Sequence, residues 1–149
     1  MISTFPTPIG AALIDPTGTY RYWLSREWAL DGPTALLIGL NPSTADATVN
    51  DPTIRREISF AQRWGMARFF KVNLFALRST HPRGLTQVAD PVGPENDAHL
   101  IRLARQADLI VACWGRDGAL YDRASRVLGL LRARAFDPVV MCLGTTQDG

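Results

Sequence analysis

The sequence is poor in the residues that build metal and cofactor sites. It has two histidines and two cysteines in 149 residues, and they do not stand at the spacings of a metal site. No metal and no other cofactor is expected. Cys113 and Cys142 lie in apolar runs. A disulfide framework needs a Cys-dense, loop-rich chain, so two reduced thiols packed in a core are expected, and with them a cytoplasmic location. No apolar run reaches the roughly 18 residues of a membrane span. Met1 to Pro6 has no basic segment and no long apolar one, so neither a signal peptide nor a membrane partner is expected. Gly-x-x-x-x-Gly-Lys, Gly-x-Gly-x-x-Gly and Gly-x-Ser-x-Gly are all absent, which disfavours a P-loop, a dinucleotide fold and a hydrolase elbow. Lysine is nearly absent too: of 16 basic residues only Lys71 is lysine. Arginine forks onto phosphates and carboxylates, which admits a nucleotide or nucleic acid. An arginine-biased genome would leave the same composition, and a net charge of +2 does not choose between them.

What is present reads as one α/β domain over 1–149. Ala35 to Leu40 is a continuous apolar run, too short for a helix and not alternating, as in a parallel strand buried on both faces. Phe69–Leu77, Asp108–Trp114 and Val139–Leu143 have the same character. Helical periodicity separates them. Ile54, Ile58, Ala61 and Trp64 share a face, with Arg55, Arg56, Glu57 and Arg63 elsewhere, and Asp51-Pro52 supplies an N-cap and first turn. Leu100, Ala104 and Ala107 mark a second helix, and Leu120, Ala124, Val127, Leu128 and Leu131 a third. Two short β-prone runs around Asp15-Pro16-Thr17-Gly18 predict an N-terminal hairpin packed as a flap on the body. The expectation is a three-layer α/β/α sandwich with a four-stranded parallel sheet.

Ligands of open α/β sheets bind outside the carboxyl ends of the strands. That singles out 41–51, 78–83, 115–118 and 144–149. Gly39 admits close backbone approach, and Asn41-Pro42 ends the strand abruptly. Ser43 and Thr44 bring hydroxyls, Asp46 and Asp51 carboxylates. Such a turn suits a phosphate or sugar, and equally a strand-to-helix turn with polar caps. Asn73 is a carboxamide inside an apolar strand, costly unless paired; it bonds a neighbouring loop or a nucleobase edge. In Arg78-Ser79-Thr80-His81-Pro82-Arg83 the charge and hydroxyls suit a phosphate contact; His81 could act in acid–base work or as a cation, or be a plain loop residue. Trp114 is core or stacks on a base.

Several segments are also familiar together: Arg21-Tyr22-x-Leu24-x-Arg26, Gly39-Leu40-Asn41-Pro42-Ser43-Thr44-Ala45-Asp46, Asp51-Pro52-Thr53-Ile54-Arg55-Arg56, Asn73-Leu74-Phe75-Ala76, Gly93-Pro94-Glu95-Asn96-Asp97 and Trp114-Gly115. They resemble a bacterial and phage family, domain of unknown function 1643 (DUF1643), which implies no activity of its own. More distantly, Gly39-Leu40-Asn41-Pro42 and Asn73-Leu74-Phe75-Ala76-Leu77-Arg78 are similar to motifs of the uracil-DNA glycosylase superfamily. That resemblance implies a DNA glycosylase-like protein that takes a flipped or single-stranded nucleotide and hydrolyses the N-glycosidic bond of a modified or deaminated base. Asn41 would then orient water, Asn73 with Gly39 and Trp114 would bind the base, and Asp46 or Asp51 would assist the water or offset charge on the sugar. Ser43, Thr44, Arg78 and Thr80 would hold phosphates. The superfamily's last motif carries His-Pro after the fourth strand; here the sequence reads Gly144-Thr145-Thr146-Gln147-Asp148-Gly149, as expected of a truncated chain or a lost motif. A non-catalytic nucleotide or nucleic-acid binding module, and an enzyme of free nucleosides or nucleotides, are the other readings.

Overall fold

A computed structural model describes residues 5–133 and 140–142. The strands are β1 (Ile9–Ile14), β2 (Arg21–Glu27), β3 (Thr34–Gly39), β4 (Arg68–Asn73), β5 (Leu109–Ala112) and β6 (Val140–Cys142). The helices are α1 (Pro52–Arg63), α2 (Asn96–Gln106) and α3 (Arg123–Ala133), with short 3-10 segments at Pro82–Thr86 and Arg116–Asp122. The segment 144–149 singled out above lies outside the described residues.

The sheet is six-stranded and mixed, in the order β1-β2-β4-β3-β5-β6, rather than a separate four-stranded sheet. β3 pairs in parallel with β4 and β5, and β5 with β6. The hairpin does form, with Gly18 N–H on the Asp15 carbonyl at 2.9 Å. It does not pack as a flap, however. β2 pairs antiparallel with β4, Leu24 opposite Lys71 and Glu27 opposite Arg68, so the hairpin extends the sheet. The edge of β4 would otherwise leave its backbone groups without partners.

Burial on both faces accounts for the apolar runs. Along β3, Leu36 and Ile38 join one cluster with Leu100 and Leu103 of α2 and Val127 and Leu131 of α3. Ala35 and Leu37 join the other, with Ile54 and Ala61 of α1. Alternate side chains therefore enter opposite cores, and polar residues have no place in the run. The third helix starts later than its pattern suggests: Leu120 and Tyr121 have non-helical backbone, and α3 opens at Arg123.

The chain winds from β3 through α1 to β4 on one side, then through α2 to β5 on the other side of β3. Right-handed crossovers in opposite directions put α1 and α2 on opposite faces. β3 thus lies at the point where the winding reverses, and a crevice opens beyond its carboxyl end.

Candidate functional site

A cavity of about 210 Å³ occupies that crevice. Gly39, Lys71 and Asn73, and Cys113 just past β5, form its floor; Leu40, Asn41, Pro42 and Ser43 form one wall. Asp51, Thr53 and Ile54 at the start of α1 close it, and Arg21 from β2 reaches in from the side. Of the residues expected from sequence, it brings together Gly39, Asn41, Ser43, Asp51 and Asn73.

The others lie elsewhere. Thr44 and Thr80 are exposed and line no part of it. The Asp46 carboxylate accepts from the N–H groups of Thr48 and Val49 at 2.9 and 2.8 Å, a loop bond that holds its pKa below the ordinary carboxylate value. Arg78 donates through Nε to the Ser43 carbonyl at 3.3 Å. Trp114 borders a different cavity of about 410 Å³, with Arg116, Asp122 and Ser125. Cys142 is exposed rather than in a core, and Cys113 is partly buried.

The wall is stitched from both sides. Asn41 Nδ2 donates to the carbonyls of Pro42 and Ser79 at 3.1 and 2.9 Å. Ser79 N–H donates to the Pro42 carbonyl at 2.9 Å. Beneath, Arg26 donates through Nε to Asn50 Oδ1 at 2.9 Å and through Nη2 to the carbonyls of Asp46 and Val49 at 2.6 and 3.2 Å. Arg21 donates through Nη1 to the Ala45 carbonyl at 3.0 Å. Two buried guanidinium groups of β2 thus replace the hydrogen bonds that the irregular loop 41–51 cannot make with itself. Asp51 caps α1, accepting from Ile54 N–H at 2.9 Å.

The floor is charged. Lys71 Nζ donates to Glu57 Oε1 of α1, and both residues are buried. Cys113 Sγ lies 3.8 Å from the same Nζ and 3.3 Å from the Ile38 carbonyl. Burial pulls the Lys71 ammonium down, but Glu57 and Cys113 outweigh it, so its pKa ends above the ordinary value and the side chain is charged at neutral pH. Burial pushes the Cys113 thiol up, with Lys71 partly opposing. Burial also lowers Arg21, to about 10, against the pull of Asp51 and Glu57. Arg21 remains a cation at the cavity edge.

Asn73 is unsatisfied at both polar atoms of its side chain. It is 1% exposed, and neither Oδ1 nor Nδ2 has a hydrogen-bond partner among the described residues. Native interiors seldom leave a buried carboxamide unpaired. Gly39 lets both polar side chains lie close against the strand: a Cβ there would stand 2.7 Å from Asn73 Oδ1 and 2.7 Å from Lys71 Nζ.

Arg21, Glu57, Lys71 and Cys113 are the site residues that pattern reading passed over. Each left a signal. Lys71 is a charge inside an apolar strand and the chain's single lysine. Glu57 sits three residues after Ile54 and four before Ala61, which places it on the buried stripe of α1 rather than away from it. Among the described residues no group of three or more His, Cys, Asp or Glu is placed to hold a metal ion, and no helix is long and apolar enough to cross a membrane.

None of the curated proteins or solved structures compared with the chain matches it. A family model, described as protein of unknown function (DUF1643), matches residues 21–149; that span takes in every lining residue of the cavity, and the chain belongs to the DUF1643 family.

Proposed function

We propose that the cavity takes the base of a flipped or single-stranded nucleotide and that the protein hydrolyses the N-glycosidic bond of a modified or deaminated base. The observation that carries this reading is the unpaired Asn73 carboxamide at the floor of the cavity. A primary amide offers a donor and an acceptor in one plane, which is what the edge of a nucleobase requires. At about 210 Å³ the space falls below the roughly 300–1,000 Å³ of pockets for drug-sized ligands, so it suits one ring system with the sugar left at the mouth. The target bond of a stacked nucleotide is out of reach inside a duplex, hence the flipped or single-stranded substrate.

Asn41 and Asp51 stand at the mouth in this reading. Asn41 spends Nδ2 on the wall and keeps Oδ1 for a water. Asp51 spends Oδ1 on the helix cap and keeps its charge toward an oxocarbenium-like sugar. Ser43 would contact the 5′ or 3′ phosphate.

The test is base release from single- and double-stranded oligonucleotides carrying uracil, hypoxanthine, xanthine or hydroxymethylated pyrimidines, scored by alkaline strand cleavage. Release from at least one, abolished in Asn41→Ala and shifted in base preference in Asn73→Asp, is expected. Silence across the panel from a protein with a cooperative melt would sink the catalytic reading. A second reading, a nucleotide-binding module without turnover, has its own support: both polar groups proposed at the mouth already carry structural hydrogen bonds. It predicts binding of the same oligonucleotides with no release.

A further inference from the structure

Asn73 by itself cannot tell one kind of base edge from another. Its Oδ1 and Nδ2 are both without partners among the described residues, so nothing pins the amide. A half-turn about its last torsion exchanges donor and acceptor. A ring with a carbonyl beside a ring N–H and a ring with an exocyclic amine beside a ring nitrogen would therefore satisfy it equally.

Lys71 removes that symmetry. An ammonium has three donors and no acceptor. One N–H is committed to Glu57 Oε1, and Cys113 Sγ at 3.8 Å is a weak, long acceptor for another. The same Nζ borders the space over Gly39 that Asn73 Oδ1 also borders, each 2.7 Å from where a Cβ would be. The bare glycine admits both side chains to that point, and all three residues line the cavity, so a fixed donor and a reversible amide face the same space. Glu57 is what allows a full charge there: without it the ammonium would be buried and unpaired. Glu57 also holds the Nζ in one position, so it cannot swing away from an unfavourable ring.

We infer that Lys71, held by Glu57, is a specificity-determining donor of this cavity, and that it selects a ring presenting a carbonyl beside a ring N–H over one presenting an exocyclic amine. The inference rests on the reading that the cavity takes a base ring; it does not need the glycosidic bond to be cut. A carbonyl oxygen accepts from Lys71 and Asn73 Nδ2 while the ring N–H donates to Asn73 Oδ1. An amine at the same place sets donor against donor beside a cation, and the amide's rotation cannot cure it.

The experiment is ligand-observed NMR of the full chain with four free bases: uracil against cytosine, and hypoxanthine against adenine. The carbonyl member of each pair is expected to bind at least about tenfold more tightly, the scale of one hydrogen bond to a charged group. The paired variant Lys71→Met with Glu57→Gln leaves no lone buried charge and is expected to bring both ratios close to one. A second measurement uses the intact protein. Lys71 is the chain's only lysine, so lysine-specific isotope labelling gives one side-chain resonance, which saturation with uracil should move and cytosine should not. Failure of all four bases to bind would overturn the base-ring reading and this inference together. Binding with ratios within twofold, an unmoved Lys71 resonance under saturating uracil, or ratios kept in the paired variant would overturn the inference alone. Selective binding without base release from oligonucleotides would uphold it while removing the catalytic reading.

Discussion

At the scale of single residues, the site is built around charged and polar groups that are almost wholly buried. Lys71 and Glu57 are 5% and 7% exposed, so each is the other's main neutralising partner. Glu57→Ala strands the ammonium and is expected to cost about 3–5 kcal/mol in urea unfolding. Adding Lys71→Met should return most of that, because the orphaned charge leaves with it. A double variant as unstable as the single one would mean that the pair contributes little through its charges. The two thiols should also separate cleanly. Exposed Cys142 should react at once with a thiol reagent, and Cys113 slowly. The folded Cys113 holds its proton more tightly than the ordinary thiol value of 9.0. Its contribution is therefore complete below that value and is lost as pH rises toward the folded pKa. Melting temperatures should accordingly fall faster above pH 9 in the native protein than in Cys113→Ala, and parallel curves would refute this. Lys71 and Glu57 show how such a pair hides in sequence. Each is a single charge in an otherwise apolar pattern, and pattern reading discards single exceptions. The partner that makes each tolerable lies 14 residues away, on a different element.

At the scale of elements, loop 41–51 and helix α1 depend on β2. Arg21 and Arg26 look like ordinary charges of an edge hairpin in the sequence, yet they are 2% and 3% exposed and hold the loop's carbonyls from below. The Asp51-Pro52 start of α1, by contrast, was legible in advance. An acceptor side chain followed by proline satisfies the first turn with no help from the rest of the molecule. The two roles given to Asp51 can be separated by substitution. Asp51→Ala loses the cap and is expected to cost about 1 kcal/mol. Asp51→Asn keeps an acceptor oxygen for Ile54 N–H but removes the charge. Stability should then stay close to native while base release falls. Equal release by Asp51→Asn and native protein would confine Asp51 to the helix cap. Asp46 and Asp51 had equal standing in the sequence. Asp46 closes a tight turn on Thr48 and Val49, whereas the start of α1 aims Asp51 at the crevice.

At the scale of the whole molecule, the sheet decides what meets. With Arg21, Arg26, Lys71 and Arg123 buried and a net charge of only +2, the remaining arginines are nearly matched by acidic groups, and little excess positive charge faces a nucleic-acid backbone. Binding of a short single strand should weaken only about tenfold between 50 and 200 mM salt, the loss expected for two or three phosphate contacts rather than the roughly 1,000-fold or more of six to ten. A far steeper loss would point to a backbone binder and away from a site that grips the base. The apolar strands, the helical stripes between them and the polar turn after Gly39 were all determined by the sequence alone. Periodicity and turn chemistry act over a few residues and need no partner. Only the tertiary structure decided that the hairpin lies in the sheet rather than over it, that Glu57 meets Lys71, and that Gly39, Lys71 and Asn73 border one cavity. Those facts follow from strand order and register, which bring residues as distant in sequence as Arg21 and Cys113 to one cavity. A buried charge or a bare glycine has meaning only beside the neighbour it meets, and local sequence does not carry that neighbour.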